Sequence, residues 1–254
     1  MDEKDAQQTT DTTVISTSPT LPAKKKFDPA GWPFFIKFSI GSLVFYAVEV
    51  AYQYYILTTQ DVATSIVRGS ALAGTTLIAA ALFSSAVFRW VPQWAQYWHI
   101  RRYLGVAGAL AITAHVLGVS YYYLGFDYTS LFFTLNPVEN PMLFGVIGFI
   151  IIFAMLLTSN DKAMRMLGRN WKRLHKFVYG AFAAIILHFT LIRADTAMNA
   201  PRVLLYVMTA LAVFGQLYWF FKTVYRKRFR SVGTVVGFAI IISFLILLWA
   251  GLNR

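Results

Sequence analysis

Apolar residues in this chain fall into long unbroken runs separated by short polar and basic segments. Seven such runs stand out, at about 35–58, 70–88, 104–124, 142–158, 174–192, 203–221 and 233–251. Each is close to the ~20 residues that an α-helix needs to cross ~30 Å of hydrocarbon. None alternates polar with apolar residues, as a strand in a closed membrane barrel would. The pattern predicts an all-α membrane protein, a bundle of about seven transmembrane helices. Residues 1–30 differ in character. They are polar, rich in Thr, Asp and Ser, and carry Pro19 and Pro22. This stretch reads as a disordered tail, and it lacks the basic start and apolar stretch of a cleavable signal peptide. The expected division is thus a tail over 1–30 and a transmembrane domain over 31–254.

The charges orient the bundle. If the N-terminus is cytoplasmic, nineteen of the 23 Lys and Arg residues fall on the inner side. Only Arg68, Arg193, Arg202 and Arg254 fall outside. Short loops biased this strongly obey the positive-inside rule, so the expected N-terminus is cytoplasmic and the expected location is the cell (inner) membrane. Composition agrees, with 57% hydrophobic and 13% charged residues and a mean hydropathy of +0.56. The net charge of +12 is accounted for by loop topology, so no nucleic-acid partner is expected. Cysteine is absent. That excludes disulfides, thiolate metal sites, iron–sulfur clusters and covalent c-type haem. Neither a dinucleotide-binding glycine motif nor a phosphate-binding loop occurs, so electrons, if the protein carries them, must come from a partner, a quinol or a soluble reductant.

Candidate chemistry centres on four histidines, His99, His115, His175 and His188. On the inferred topology His115 lies ~18 Å into the third helix and His188 ~24 Å into the fifth, both in the outer half. Polar groups at such depth are costly and turn toward the bundle interior. A neutral imidazole is also an axial haem ligand, and two facing helices can each supply one. The pair His115 and His188 is therefore read as a haem-ligand pair, in preference to two separate interhelical hydrogen bonds. His175 sits in a basic interfacial run, where ligation and a solvated role are equally open. His99 lies just before the third helix and favours the ordinary surface reading. Gly105, Gly108, Gly145, Gly148 and Gly180 permit close approach either of a flat macrocycle or of a neighbouring helix. Glu49, inside the first helix with Gln53 on the same face, could relay protons, touch a quinone or simply bond another helix. Tyr121–Tyr123 with Trp32, Trp90, Trp94, Trp98 and Trp171 read as interfacial anchors. Arg165, Arg169, Lys172 and Arg173, and likewise Arg101 and Arg102, could hold a flavin phosphate or haem propionates, or could be ordinary inner-side charge. Arg193 could pair with an outer propionate.

Two segments resemble a known family. LTSNDKAMRMLGRNWKRLHKFVYGAFAAIILHF, Leu157 to Phe189, holds a Leu-Thr-Ser helix end, the run Leu167–His175 and a second histidine thirteen residues on, His188. RRYLGVAGALAITAH, Arg101 to His115, lies upstream. Both resemble the ferric reductase-like transmembrane domain, and within it the MsrQ group, the haem-binding membrane subunits of a bacterial methionine-sulfoxide reductase system. The resemblance covers roughly 69–221. It implies one or two b-type haems with His115, His175 and His188 as axial ligands. It also implies a cytoplasmic flavin reductase or quinol as donor, with FMN or quinone as a further cofactor, and a molybdenum-containing extracytoplasmic redox subunit as acceptor. The chain departs from the group in its seventh run at 233–251, its polar tail and His99. That residue offers a fourth ligand opposite His175, but at sixteen residues from His115 rather than the thirteen or fourteen of two-haem relatives. A self-contained ferric reductase and a haem-free transporter or structural membrane protein are the competing readings.

Overall fold

The computed structural model describes residues 32–58, 60–137, 139–192 and 199–226. These fold into α1 (Trp32–Tyr52), α2 (Val62–Trp90), α3 (Ile100–Tyr122), α4 (Met142–Leu157), α5 (Asp161–Leu167), α6 (Arg169–Leu174), α7 (Val178–Leu191) and α8 (Ala200–Arg226). A π-helical turn, Gln53–Leu57, continues α1, and short 3-10 turns cover Pro92–Tyr97, Thr129–Phe132 and His175–Phe177. Five helical stretches are long and apolar enough to cross a membrane. The pair α4 and α5, bent by 99°, makes a sixth if it counts as one span. The protein is therefore an all-α, multi-pass membrane protein. Six of the seven apolar runs correspond to these spans. The seventh, at 233–251, lies outside the described residues, as does the polar tail.

The longest helix, α2, is the hub, packed against α1, α3, α7 and α8. Its sequence explains this. GSALAGTTLIAAALFSS has few large side chains, and small residues let backbones approach where lipid gives no hydrophobic drive for association. At the α2–α3 crossing, a Cβ on Gly74 would stand 2.9 Å from the Gly108 carbonyl oxygen, so both glycines are needed for the close approach. Ser85 and Thr75 return their hydroxyl protons to carbonyls four residues back, which satisfies them inside an apolar bundle. α4 and α7 also pack closely, with Gly148 facing Ile185. Buried Leu72, Ile78, Leu82, Ile112, Ile152, Ile185, Ile186 and Leu205 form one continuous core across α2, α3, α4, α7 and α8.

Contacts at the helix ends fix the up-and-down order. At one end Phe34 and Phe38 of α1 meet Tyr103 of α3, Arg102 of α3 reaches Asp161 after α4, and Gln216 of α8 bonds Arg89 of α2. This end carries the cations from Lys37 to Lys222, and is called the basic end. At the opposite end Thr64 of α2 meets Tyr123 of α3, and Arg202 of α8 lies over Phe189 of α7. Among the described residues the opposite end carries only Arg68 and Arg202 as cations.

Candidate functional site

Three imidazoles share one arrangement. His115, in the half of α3 nearest the opposite end, places Nδ1 2.9 Å from the carbonyl oxygen of Val67 on α2. His188, near the end of α7, places Nδ1 3.0 Å from the carbonyl of Pro141, which caps the start of α4. His175, at the junction of α6 and α7, places Nδ1 3.1 Å from the carbonyl of Trp171. A carbonyl oxygen only accepts, so each Nδ1 carries the proton and donates it. Each Nε2 is left with its lone pair. That is the tautomer in which an imidazole ligates a metal, its ring orientation fixed and its basicity raised by the second bond.

His115 and His188 both sit toward the opposite end, on α3 and α7, each of which packs against α2 and α4. Gly145 of α4 makes room for the second ring. A Cβ there would stand 2.8 Å from both Nδ1 and Cε1 of His188. The glycines singled out in the sequence thus divide by role. Gly108, Gly145 and Gly148 serve close packing, whereas Gly105 and Gly180 face open space. Pro141 follows Asn140, which is fully buried and donates Nδ2 protons to the Leu131 and Thr134 carbonyls at 2.6 and 3.1 Å. Asn140 so ties the α3–α4 loop to the turn that presents the Pro141 carbonyl.

His175 lies at the basic end. Its ring stacks on Trp171 with centroids 3.9 Å apart, and Trp171 donates Nε1–H to the Thr158 carbonyl. Trp171 thus packs on His175 and ties it to the end of α4. Its i,i+4 spacing to His175 was the signal in the sequence. The Nε2 of His175 is 3.4 Å from Ser159 Oγ, whose own proton goes to Met155. Arg102 bonds the Ser159 carbonyl at 3.0 Å and pairs with Asp161 at 2.8 Å. Arg101 lies over the Trp98 ring.

His99 differs from the other three. It is exposed at the start of α3 and has no backbone carbonyl on Nδ1. Arg169 and Arg173 are exposed on α6, and the nearest partner of Arg173 is Asn170 at 3.5 Å. Neither arginine lies against one of the three fixed imidazoles. Arg193 lies outside the described residues. Among the described residues no group of three or more acidic or imidazole side chains could hold a metal ion.

Residues 69–186, which span α2 to most of α7, match the family model of the ferric reductase-like transmembrane component. This stretch is similar to that family's transmembrane component. It contains His115 and His175 and ends two residues before His188. The chain is also 31% identical over 123 residues to the protein-methionine-sulfoxide reductase heme-binding subunit MsrQ of Enterobacter sp. (strain 638). The aligned part is 48% of this chain and 58% of that relative, so the chain spans little more than half the relative's length. No solved structure matches this chain.

Proposed function

We propose that this protein is the haem-binding membrane subunit of a redox system, a b-type cytochrome with His115 and His188 as the axial ligands of one haem. The observation that carries this reading is the matched pair of Nδ1–H bonds to the Val67 and Pro141 carbonyls. They leave an Nε2 lone pair on α3 and on α7, two helices that both pack against α2 and α4. A hydrogen-bonding role would use either nitrogen indifferently, whereas haem ligation needs this one. The group, when bound, supplies one-electron chemistry at iron. The chain's part is to fix both rings, keep water from them and present the site toward the opposite end of the bundle.

Electrons enter at the basic end, which faces the cytoplasm, from a flavin reductase or a quinol. They leave at the opposite end to an extracytoplasmic reductase that acts on methionine sulfoxide, a molybdenum enzyme. The similarity to the MsrQ subunit and the segregation of cations support this direction. The protein would then reside in the inner membrane of a bacterium. His175 has the same fixed tautomer and is the place where a second, inner haem or a donor group binds. The exposed position of His99 argues against it as the opposite ligand.

The test is the absorbance spectrum and haem content of the purified chain. A dithionite-reduced b-type α band, lost on replacing His115 or His188 by Ala, is the expected result. Full haem in either variant would refute the assignment. Co-purification with an extracytoplasmic reductase separates this reading from a ferric reductase that works alone.

A further inference from the structure

The interface between α1 and α2 holds a row of polar side chains in its half nearest the opposite end, and electron transfer by the two histidines does not use them. Glu49 is 5% exposed, and its Oε2 is buried without a partner. Gln53, one helical turn on, is 2% exposed. The π-helical turn starts at Gln53 and turns its carbonyl to Thr58, which donates both its backbone N–H and its hydroxyl to that oxygen at 2.9 Å. The Thr58 and Ser65 hydroxyls are 2.6 Å apart, and Ser65 bonds the carbonyl of Asp61, which is exposed at the end of the bundle. Polar groups thus run inward from Asp61 through Ser65, Thr58 and Gln53 toward Glu49. Buried polar residues at membrane depth are costly, so a row of them at one helix interface marks a working site.

Glu49 also stands at the level of the outer imidazole. Its neighbour Val50 packs on Gly69, whose added Cβ would lie 2.8 Å from Val50 Cα. Two residues earlier on α2 is Val67, whose carbonyl holds His115. The other ionisable groups on the elements packed around Glu49 are few. They are Tyr46, Tyr52, Tyr54 and Tyr55 on its own helix and turn, Arg68 at the outer end of α2, and His115, Tyr103 and Tyr121–Tyr123 on α3. Tyr46 bonds Ser70, and Arg68 is exposed. Lys37, Arg89, Arg101 and Arg102 lie at the basic end. The one ion pair among the described residues, Arg102 with Asp161, is also there.

We propose that Glu49 is a redox-linked proton site served from the opposite end of the bundle. This rests on the haem reading above. A carboxylate in so apolar a place is costly unless a positive charge lies near it. A haem held by two neutral imidazoles carries one more positive charge when its iron is ferric than when it is ferrous. As one electron arrives at the His115–His188 site, the Glu49 carboxylate takes one proton from the aqueous phase through the Thr58–Ser65–Gln53 row and becomes the acid. As the electron leaves, that proton returns. No other bond forms or breaks.

The experiment is a redox titration of the purified full chain across the neutral pH range, with Glu49→Gln and Glu49→Asp beside the wild type. An infrared difference spectrum of reduced minus oxidised protein accompanies it. The wild-type potential is expected to fall as pH rises. Glu49→Gln is expected to stay at the wild type's acid limit, so that the two curves separate toward high pH, and Glu49→Asp keeps the slope. The wild-type infrared spectrum gains a protonated-carboxyl band on reduction, and Glu49→Gln does not. Coincident curves at every pH, or a band that survives in Glu49→Gln, would overturn the inference while leaving the haem reading intact. Absence of haem from the wild type would overturn the haem reading itself. If Glu49→Gln does not fold, Glu49→Asp and the wild-type infrared band decide: no band on reduction refutes the proton site.

Discussion

His115 on α3 donates its Nδ1 proton to the Val67 carbonyl on α2, 48 residues earlier in the chain, and His188 makes the equivalent bond to Pro141 across 47 residues. The two acceptors differ in kind. Val67 lies inside a continuous helix, where its carbonyl is held by the helix itself. Pro141 lies at a helix start, and its position depends on the loop before it. On the proposed haem reading, removing either ring removes an axial ligand. His115→Ala and His188→Ala are each expected to lose this haem while the apoprotein remains helical, as read by haem per polypeptide and by circular dichroism.

Gly145 separates packing from ligation. Its added methyl meets the His188 ring at 2.8 Å, so Gly145→Ala must displace the ring or α4. Overpacking of this kind costs ~1–3 kcal/mol. Reduced haem occupancy and a lower unfolding temperature are expected. Gly105→Ala meets nothing within 4 Å and is expected to change neither.

Asn140 acts on His188 through the loop. Asn140→Ala leaves the Leu131 and Thr134 carbonyls without the donor they share, at a cost of ~1–3 kcal/mol. The Pro141 carbonyl is then free to move away from Nδ1. A weaker bond there makes the imidazole a poorer donor to iron and favours the ferrous state. The midpoint potential should rise in Asn140→Ala with haem retained, and an unchanged potential would separate the loop from the ligand.

The Arg102–Asp161 pair bears on the basic end. The guanidinium beside Asp161 holds its carboxyl below the ordinary value of 3.8. The folded form therefore binds that proton less readily than the unfolded chain does, and its contribution is fully present above the ordinary value. It is lost as pH falls below 3.8 through the depressed value. Asp161→Asn should be less stable than the wild type at neutral pH and indistinguishable from it in acid, measured by thermal unfolding. The difference will be small, because both side chains are well exposed.

Arg169 and Arg173 are exposed on α6. Arg169→Ala and Arg173→Ala are expected to leave haem content and spectrum unchanged. A loss of haem in either would restore the propionate role that their position in the sequence allows.

The sequence by itself determined the membrane class, the places of six apolar runs in the described helices, though α2 begins eight residues before its run, and the histidines worth weighing. Hydrophobic run length and the exclusion of unpaired backbone from lipid leave little other choice. Only the tertiary structure decided which of the four histidines are held in a ligating tautomer. Val67, Pro141 and Trp171 contribute through backbone carbonyls, which every residue has, so no residue type at those positions could signal the role. Gly145 and Gly105 look alike in the sequence, and only the packing of α4 on α7 gives one a ring to accommodate and the other open space. Asn140, in a loop that reads as ordinary, acquires its part because folding buries it beside the turn that faces His188.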